Sequence, residues 1–212
     1  MAATDDDGAG RSRHELAAAI ILGVAGILTA FSAYQAALTD GDALKSYTAS
    51  AATTADANGF FNEAFATYTS DQSLFLEYQL LVESGNLELA SIIRERLFSP
   101  ELEEATAAWD LIPAGSPGEP PTPLATEEYV VPAQDEALSL TDEAADQFAE
   151  AQNVDDAGDK FELAAVFLSV ALFLAGIGTL FSSPRIRVAV LAMSVIAIVP
   201  GVVAISQGQS AL

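Results

Sequence analysis

The chain has 212 residues, 51% of them hydrophobic, with 30 Asp and Glu against 8 Lys and Arg and a formal net charge of −22. Such an acidic excess excludes a basic nucleic-acid surface and a polybasic lipid-binding patch, and the lack of cysteine excludes disulfides, thiolate catalysis and Cys-ligated metal or iron–sulfur sites. Salt screens self-repulsion, so the composition suits either a high-salt organism or an acidic, high-GC mesophile.

Residues 1–11 hold Asp5, Asp6, Asp7, Gly8 and Gly10 and little to bury, which predicts a disordered tail. Ser12 and Glu15 have capping-box spacing, so a helix starts there and continues into the apolar run 16–38. With Arg11 and Arg13 in front, this stretch has a signal peptide as its rival reading. The run exceeds an h-region of about 7–15 residues and no small-x-small cleavage site follows, so 12–38 is expected to be a retained first transmembrane helix.

Residues 39–160 read as an acidic helical domain. Residues 42–84 lack proline, and Phe61, Phe65, Tyr68, Gln72, Phe75, Gln79 and Val82 recur at steps of four and three, an a/d-type seam. Leu74, Tyr78 and Leu81 widen it into a bundle stripe. Gly85 ends that helix, and a second carries Leu87, Leu89, Ala90, Ile93 and Leu97. Ser99 and Pro100 open a third, with Glu101, Glu103 and Glu104 near its positive end and Trp109 near its close. Residues 111–124 contain five prolines and two glycines, an extended loop. After Pro132, Ala137, Leu140, Ala144, Phe148 and Ala151 make an apolar face, and the aromatics of 61–75 are expected to pack on it.

Residues 161–181 carry no charge after Glu162 for about 20 residues, enough to cross about 30 Å of hydrocarbon. A turn at 182–185 leads to a third run, 186–205, and an outer tail, 206–212. Arg11 and Arg13 fall on the same side as Arg185 and Arg187 in any three-span topology, and positive charge marks the cytoplasmic side. The expected fold is therefore all-α: three transmembrane helices in the cell membrane, the N-terminus cytoplasmic, and an extracytoplasmic helical bundle, 39–160, inserted between spans 1 and 2.

Residues 28–38 (LTAFSAYQAAL), Phe98-Ser99-Pro100, Trp109, Asn153, residues 158–163 (GDKFEL) and residues 172–177 (LFLAGI) together resemble a widespread family of small prokaryotic integral membrane proteins of uncharacterised function. The resemblance implies three spans around an outer helical domain. It carries over no activity and no site residues.

Candidate chemistry is sparse. Asp40, Asp42, Asp155, Asp156 and Asp159 approach one membrane surface. They are candidate oxygen ligands for Ca²⁺ or Mg²⁺, against a plain solvated collar in which Asp156 pairs with Lys160. Tyr34 and Gln35 leave span 1 either as part of a ligand cleft or as an interfacial aromatic and an interhelical hydrogen-bonding group. Gly23, Gly26, Ala171, Ala175 and Gly178 offer small faces for helix packing. Trp109 is either a partner anchor or the cover of a helical core. The single histidine, His14, lies before the first span, and no nucleophile–base pair stands out. No catalytic, cofactor or metal residue is assigned, and an enzyme is not expected. The expected function is that of a non-catalytic scaffold or accessory subunit in the lipid bilayer, binding an envelope protein or itself through the outer domain. A solute-binding or sensory module working with a signalling partner is the alternative.

Overall fold

The computed structural model describes residues 6–212 except Ala114 and Glu119, and of residues 6–14 the backbone only. The side chains of Arg11, Ser12, Arg13 and His14 thus lie outside the described set, as do residues 1–5. Five helices follow one another: α1 (Asp6–Glu83), α2 (Leu87–Leu97), α3 (Pro100–Trp109), α4 (Pro132–Gly178) and α5 (Pro184–Ala211). A single 3₁₀ turn, Pro123–Ala125, interrupts the loop before α4, and no strand occurs among the described residues. The chain is all-α, as expected, although helix is assigned from Asp6 where an unstructured tail was anticipated as far as residue 11. Three of the helices, α1, α4 and α5, are long and apolar enough to cross a membrane.

Two compact units divide the chain: Met1–Ala49 with Asp146–Leu212, and Ser50–Ala145. In the first, the inward positions are mostly small. Ala18, Ala25, Ser32 and Thr39 recur every seventh residue along α1 and are buried. They are matched by Ala164, Ala171 and Ala175 on α4 and by Ser194, Gly201, Ala204 and Gly208 on α5. Phe161 and Leu168 are the large residues of this core, packed with Ala36, Ala164, Ala204 and Ile205. Large apolar side chains point outward instead: Ile20, Val24, Ile27, Phe31 and Leu38 on α1, Val166, Val170 and Phe173 on α4. A water-soluble bundle does the reverse. Outward bulk with inward small residues is what helices surrounded by lipid adopt, because hydrocarbon does not penalise a leucine and close backbone approach supplies the packing.

The close approach is sharpest where α5 meets α4. A Cβ added at Gly201 would lie 2.8 Å from Leu168 Cγ, and one at Gly208 would lie 3.0 Å from the Phe161 ring. Gly201 follows Pro200, the one proline inside α5, whose missing N–H frees a carbonyl one turn earlier. Ser194 Oγ donates to Ala171 O across the same pair, 2.6 Å. Of the glycines expected to make close faces, Gly178 meets Leu191 at 3.4 Å, while Gly23 has nothing within 4 Å and Gly26 only Leu172 at 4.0 Å. In this unit α1 therefore packs through alanine, serine and threonine rather than through its glycines. At the α4–α5 turn the buried Arg187 guanidinium donates to Phe181 O at 2.9 Å, satisfying a carbonyl past the negative end of α4.

In the second unit, Ser50, Ala57, Ala64 and Asp71 of α1 are again buried at steps of seven, in a new phase eleven residues after Thr39, and Ala137 and Ala144 of α4 are buried likewise. Ser50 Oγ donates to Ala144 O at 2.8 Å, a contact that only small neighbouring side chains permit. The α1 helix stops at Gly85, which takes φ 79. Asn86 N donates to Leu81 O and Gly85 N to Val82 O, the paired bonds of a left-handed helix end. Asn86 then caps α2, and Ser99 caps α3 by accepting from Leu102 N at 3.0 Å. Phe75, Ala90, Ile93, Leu102 and Ala105 close the core beneath these short helices.

Candidate functional site

The seam read from the sequence is present on α1 but does not face the chain's own core. Phe61 is 39% exposed, Phe65 70% and Tyr68 40%, with Gln72 also exposed, whereas only Phe75 of that seam is buried. The buried stripe is the small one, Ala57, Ala64 and Asp71, one residue earlier than the aromatics and so turned by about 100° on a helix of 3.6 residues per turn. The expected packing of aromatics 61–75 on the face from Ala137 to Phe148 is thereby corrected. Alanines on α4 let α1 come so near that its own small residues fill the gap, and the larger rings are displaced to the surface. Phe148 instead meets Tyr47 edge to face, centroids 5.4 Å apart.

The displaced aromatics form a groove of about 380 Å³ lined by Phe61, Ala64, Phe65 and Tyr68, with Leu124, Tyr129, Val131 and Gln134 along its other wall. Asp71 fixes that wall. Its carboxylate is 2% exposed and accepts from Tyr129 Oη at 2.9 Å and from Ser99 Oγ at 2.7 Å. One side chain thus ties α1 to the start of α3 and to the segment leading into α4. Tyr129 also lies edge to face with Tyr68, 6.1 Å between centroids. Reading small residues at steps of seven, rather than aromatics at steps of three and four, would have found Asp71.

Burial raises the Tyr129 phenol well above its ordinary value, and the Asp71 hydrogen bond and charge raise it further. A folded-state pKa raised above the unfolded one gives stability that is complete below about pH 10 and is lost as pH climbs past it. The unfolding midpoint of this unit, followed by fluorescence of Trp109, the only tryptophan, is expected to fall as pH rises above about 10. Tyr129→Phe should flatten that fall; an unchanged slope would remove Tyr129 as its cause.

Trp109 covers the core. Its Nε1 donates to Pro120 O at 2.8 Å and its ring meets Phe75 edge to face at 5.9 Å. The loop carbonyl thereby takes the donor that a partner would need. A second groove, about 540 Å³, is lined by Arg94, Phe98, Ser99 and Glu103 among others. Arg94 is already engaged by Glu103 at 3.0 Å and Asp110 at 2.7 Å, and these hydrogen bonds, Glu103 first, push its pKa further up. It is therefore not an open anion receptor.

In the first unit the acidic residues stay apart. Asp40, Asp42, Asp155, Asp156 and Asp159 are exposed, and no group of three or more acidic, histidine or cysteine side chains converges among the described residues. Lys45 pairs with Asp42 at 2.6 Å, while Asp156 and Lys160 do not form the expected helix pair. Tyr47 Oη reaches Asp155 at 3.5 Å; desolvation, then the Asp155 charge, raise its pKa. Tyr34 is exposed, and Gln35 lines an open groove of about 460 Å³ with Thr39, Lys45 and Glu150.

Fold and surface thus define an all-helical protein with three helices suited to a membrane and an uncharged aromatic groove on its second unit. No protein-family model, curated protein or solved structure matches the chain.

Proposed function

We propose that this is a non-catalytic, multi-pass protein of the cell membrane that acts as a scaffold or accessory subunit. In this reading 12–38, 161–181 and 186–205 cross the bilayer, the N-terminus and the turn 182–185 are cytoplasmic, and residues 39–160 form the extracytoplasmic interaction domain. The kinship with small prokaryotic membrane proteins belongs to the same proposal. Its chief support is the exposed row of Phe61, Phe65 and Tyr68 on a chain of net charge −22. Exposed aromatic clusters of this kind mark interaction sites, whereas a sensory module needs an enclosed cavity for its ligand. The two grooves of the second unit described above are open.

Single cysteines test the topology without background, because the chain has none of its own. Ser116→Cys should react with a membrane-impermeant maleimide in intact cells, and Ser183→Cys only after permeabilisation. The opposite pattern would reverse the orientation, and equal labelling of both would refute the three-span arrangement.

A further inference from the structure

The exposed face of α1 has the chemistry of half a coiled coil. With Phe65 taken as position a of a heptad, Phe61 and Tyr68 are d, Gln72 is a and Ala64 is g, while the next d, Phe75, turns into the chain's own core and ends the exposed seam. In a parallel pair, a knob at position a enters a hole made by the preceding d and g and the following a and d of the facing helix. For Phe65 those four residues are Phe61, Ala64, Phe65 and Tyr68, and these are the four α1 residues that line the groove. Knob and hole therefore belong to one patch, as a two-fold interface between identical chains requires.

Two further observations select the same occupant. The flanking e positions, Asn62, Thr69 and Leu76, carry no charge, and on α1 Glu63 and Glu77 are at position f on the opposite side of the helix, while Glu127, Glu128 and Asp135 adjoin the groove's other wall in sequence. Asp71, at g, is turned inward to Ser99 and Tyr129. Two chains of net charge −22 thus meet along a stripe of α1 free of acidic groups. Gln72 is exposed at an a position, where a primary amide pairs best with its own counterpart because it both donates and accepts; such polar a residues set register and favour a dimer.

We infer that the groove is occupied by a second copy of this chain, joined as a parallel, in-register two-fold dimer along residues 61–72 of α1, with Phe65 of each copy seated in the groove of the other. This rests on the interaction-domain reading above and names its partner. Chains held in one bilayer in one orientation present these helices parallel, and confinement to the membrane raises their effective concentration.

The test uses the full chain in its native membrane. Gln72→Cys places two thiols at facing a positions, within the about 4.4–6.8 Å Cα separation that a disulfide spans, whereas Glu63→Cys points away. Mild oxidation should give a disulfide dimer with Gln72→Cys at least about tenfold faster than with Glu63→Cys, and adding Phe65→Ala should slow the first by about tenfold. Helix content should not change, since Phe65 is largely exposed. Equal rates at the two positions, or no effect of Phe65→Ala, would overturn the dimer. In parallel, a photo-crosslinking benzoylphenylalanine at position 65 separates the two readings. An adduct of twice the chain mass supports the second copy. An adduct with a different protein overturns the second copy and leaves the scaffold reading standing, and the absence of any adduct overturns both.

Discussion

Asp71→Ala is expected to lower the unfolding free energy of the second unit by about 2–3 kcal/mol, since hydrogen bonds to a charged group contribute about 1.5–3 kcal/mol each and do not add fully. The loss has a definite cause. The Asp71 carboxylate is the shared acceptor for Ser99 Oγ and Tyr129 Oη, and its removal frees the start of α3 and the groove wall together. Asp71→Asn keeps one acceptor in place and should cost less than half as much. Trp109 lies in the same unit, against Phe75, so its fluorescence in a denaturant series reads this unit rather than the first. Equal stability of Asp71→Ala and the parent protein would show that the carboxylate's desolvation cost cancels its bonds, which is a known outcome for buried charges.

Gly201→Leu should have a comparable effect on the first unit and none on Trp109. A Cβ at this position meets Leu168 Cγ at 2.8 Å, Leu168 Cδ2 at 3.1 Å and Ala164 O at 3.4 Å, so α5 cannot stay where it is. Overpacking of this sort costs about 1–3 kcal/mol, against which the better helix propensity of leucine returns about 1 kcal/mol at most. The second substitution Leu168→Ala makes room, and the double mutant should recover much of the loss. Far-UV circular dichroism during detergent-driven unfolding, run as a double-mutant cycle, measures the coupling. Additive effects would mean that Gly201 and Leu168 are not in contact in the folded protein.

Neither of these two sites is legible in the sequence, whereas the helix boundaries are. The α2 and α3 boundaries followed from local chemistry: Gly85 in a left-handed turn, then Asn86 and Ser99 capping, each acting within four residues of itself. The apolar runs likewise announced the three long helices, because bulk hydrophobicity is a property of composition. Gly201, Gly208 and Asp71 were not singled out. A glycine in an apolar helix looks the same whether a neighbour presses on it or, as at Gly23, nothing lies within 4 Å. Asp71 read as one more member of a large acidic excess, although it is buried and bonded while Glu63 and Glu77 stay exposed.

The aromatic seam shows the same division. Its period of three and four identified α1 as a helix with an apolar face, and that much needed no structure. Which face turns inward was decided by the partner helix, since two helices lined with alanine and serine approach closely enough to exclude phenylalanine from between them. Periodicity is carried by one segment and survives without its neighbours; the choice between two candidate faces is a property of the pair. By itself, then, the sequence determined the all-helical class, the three membrane-length segments and the turns between them. Tertiary structure alone decided that Ala57, Ala64 and Asp71 are inside, that Phe61, Phe65 and Tyr68 are outside, and hence that the chain carries an open aromatic groove.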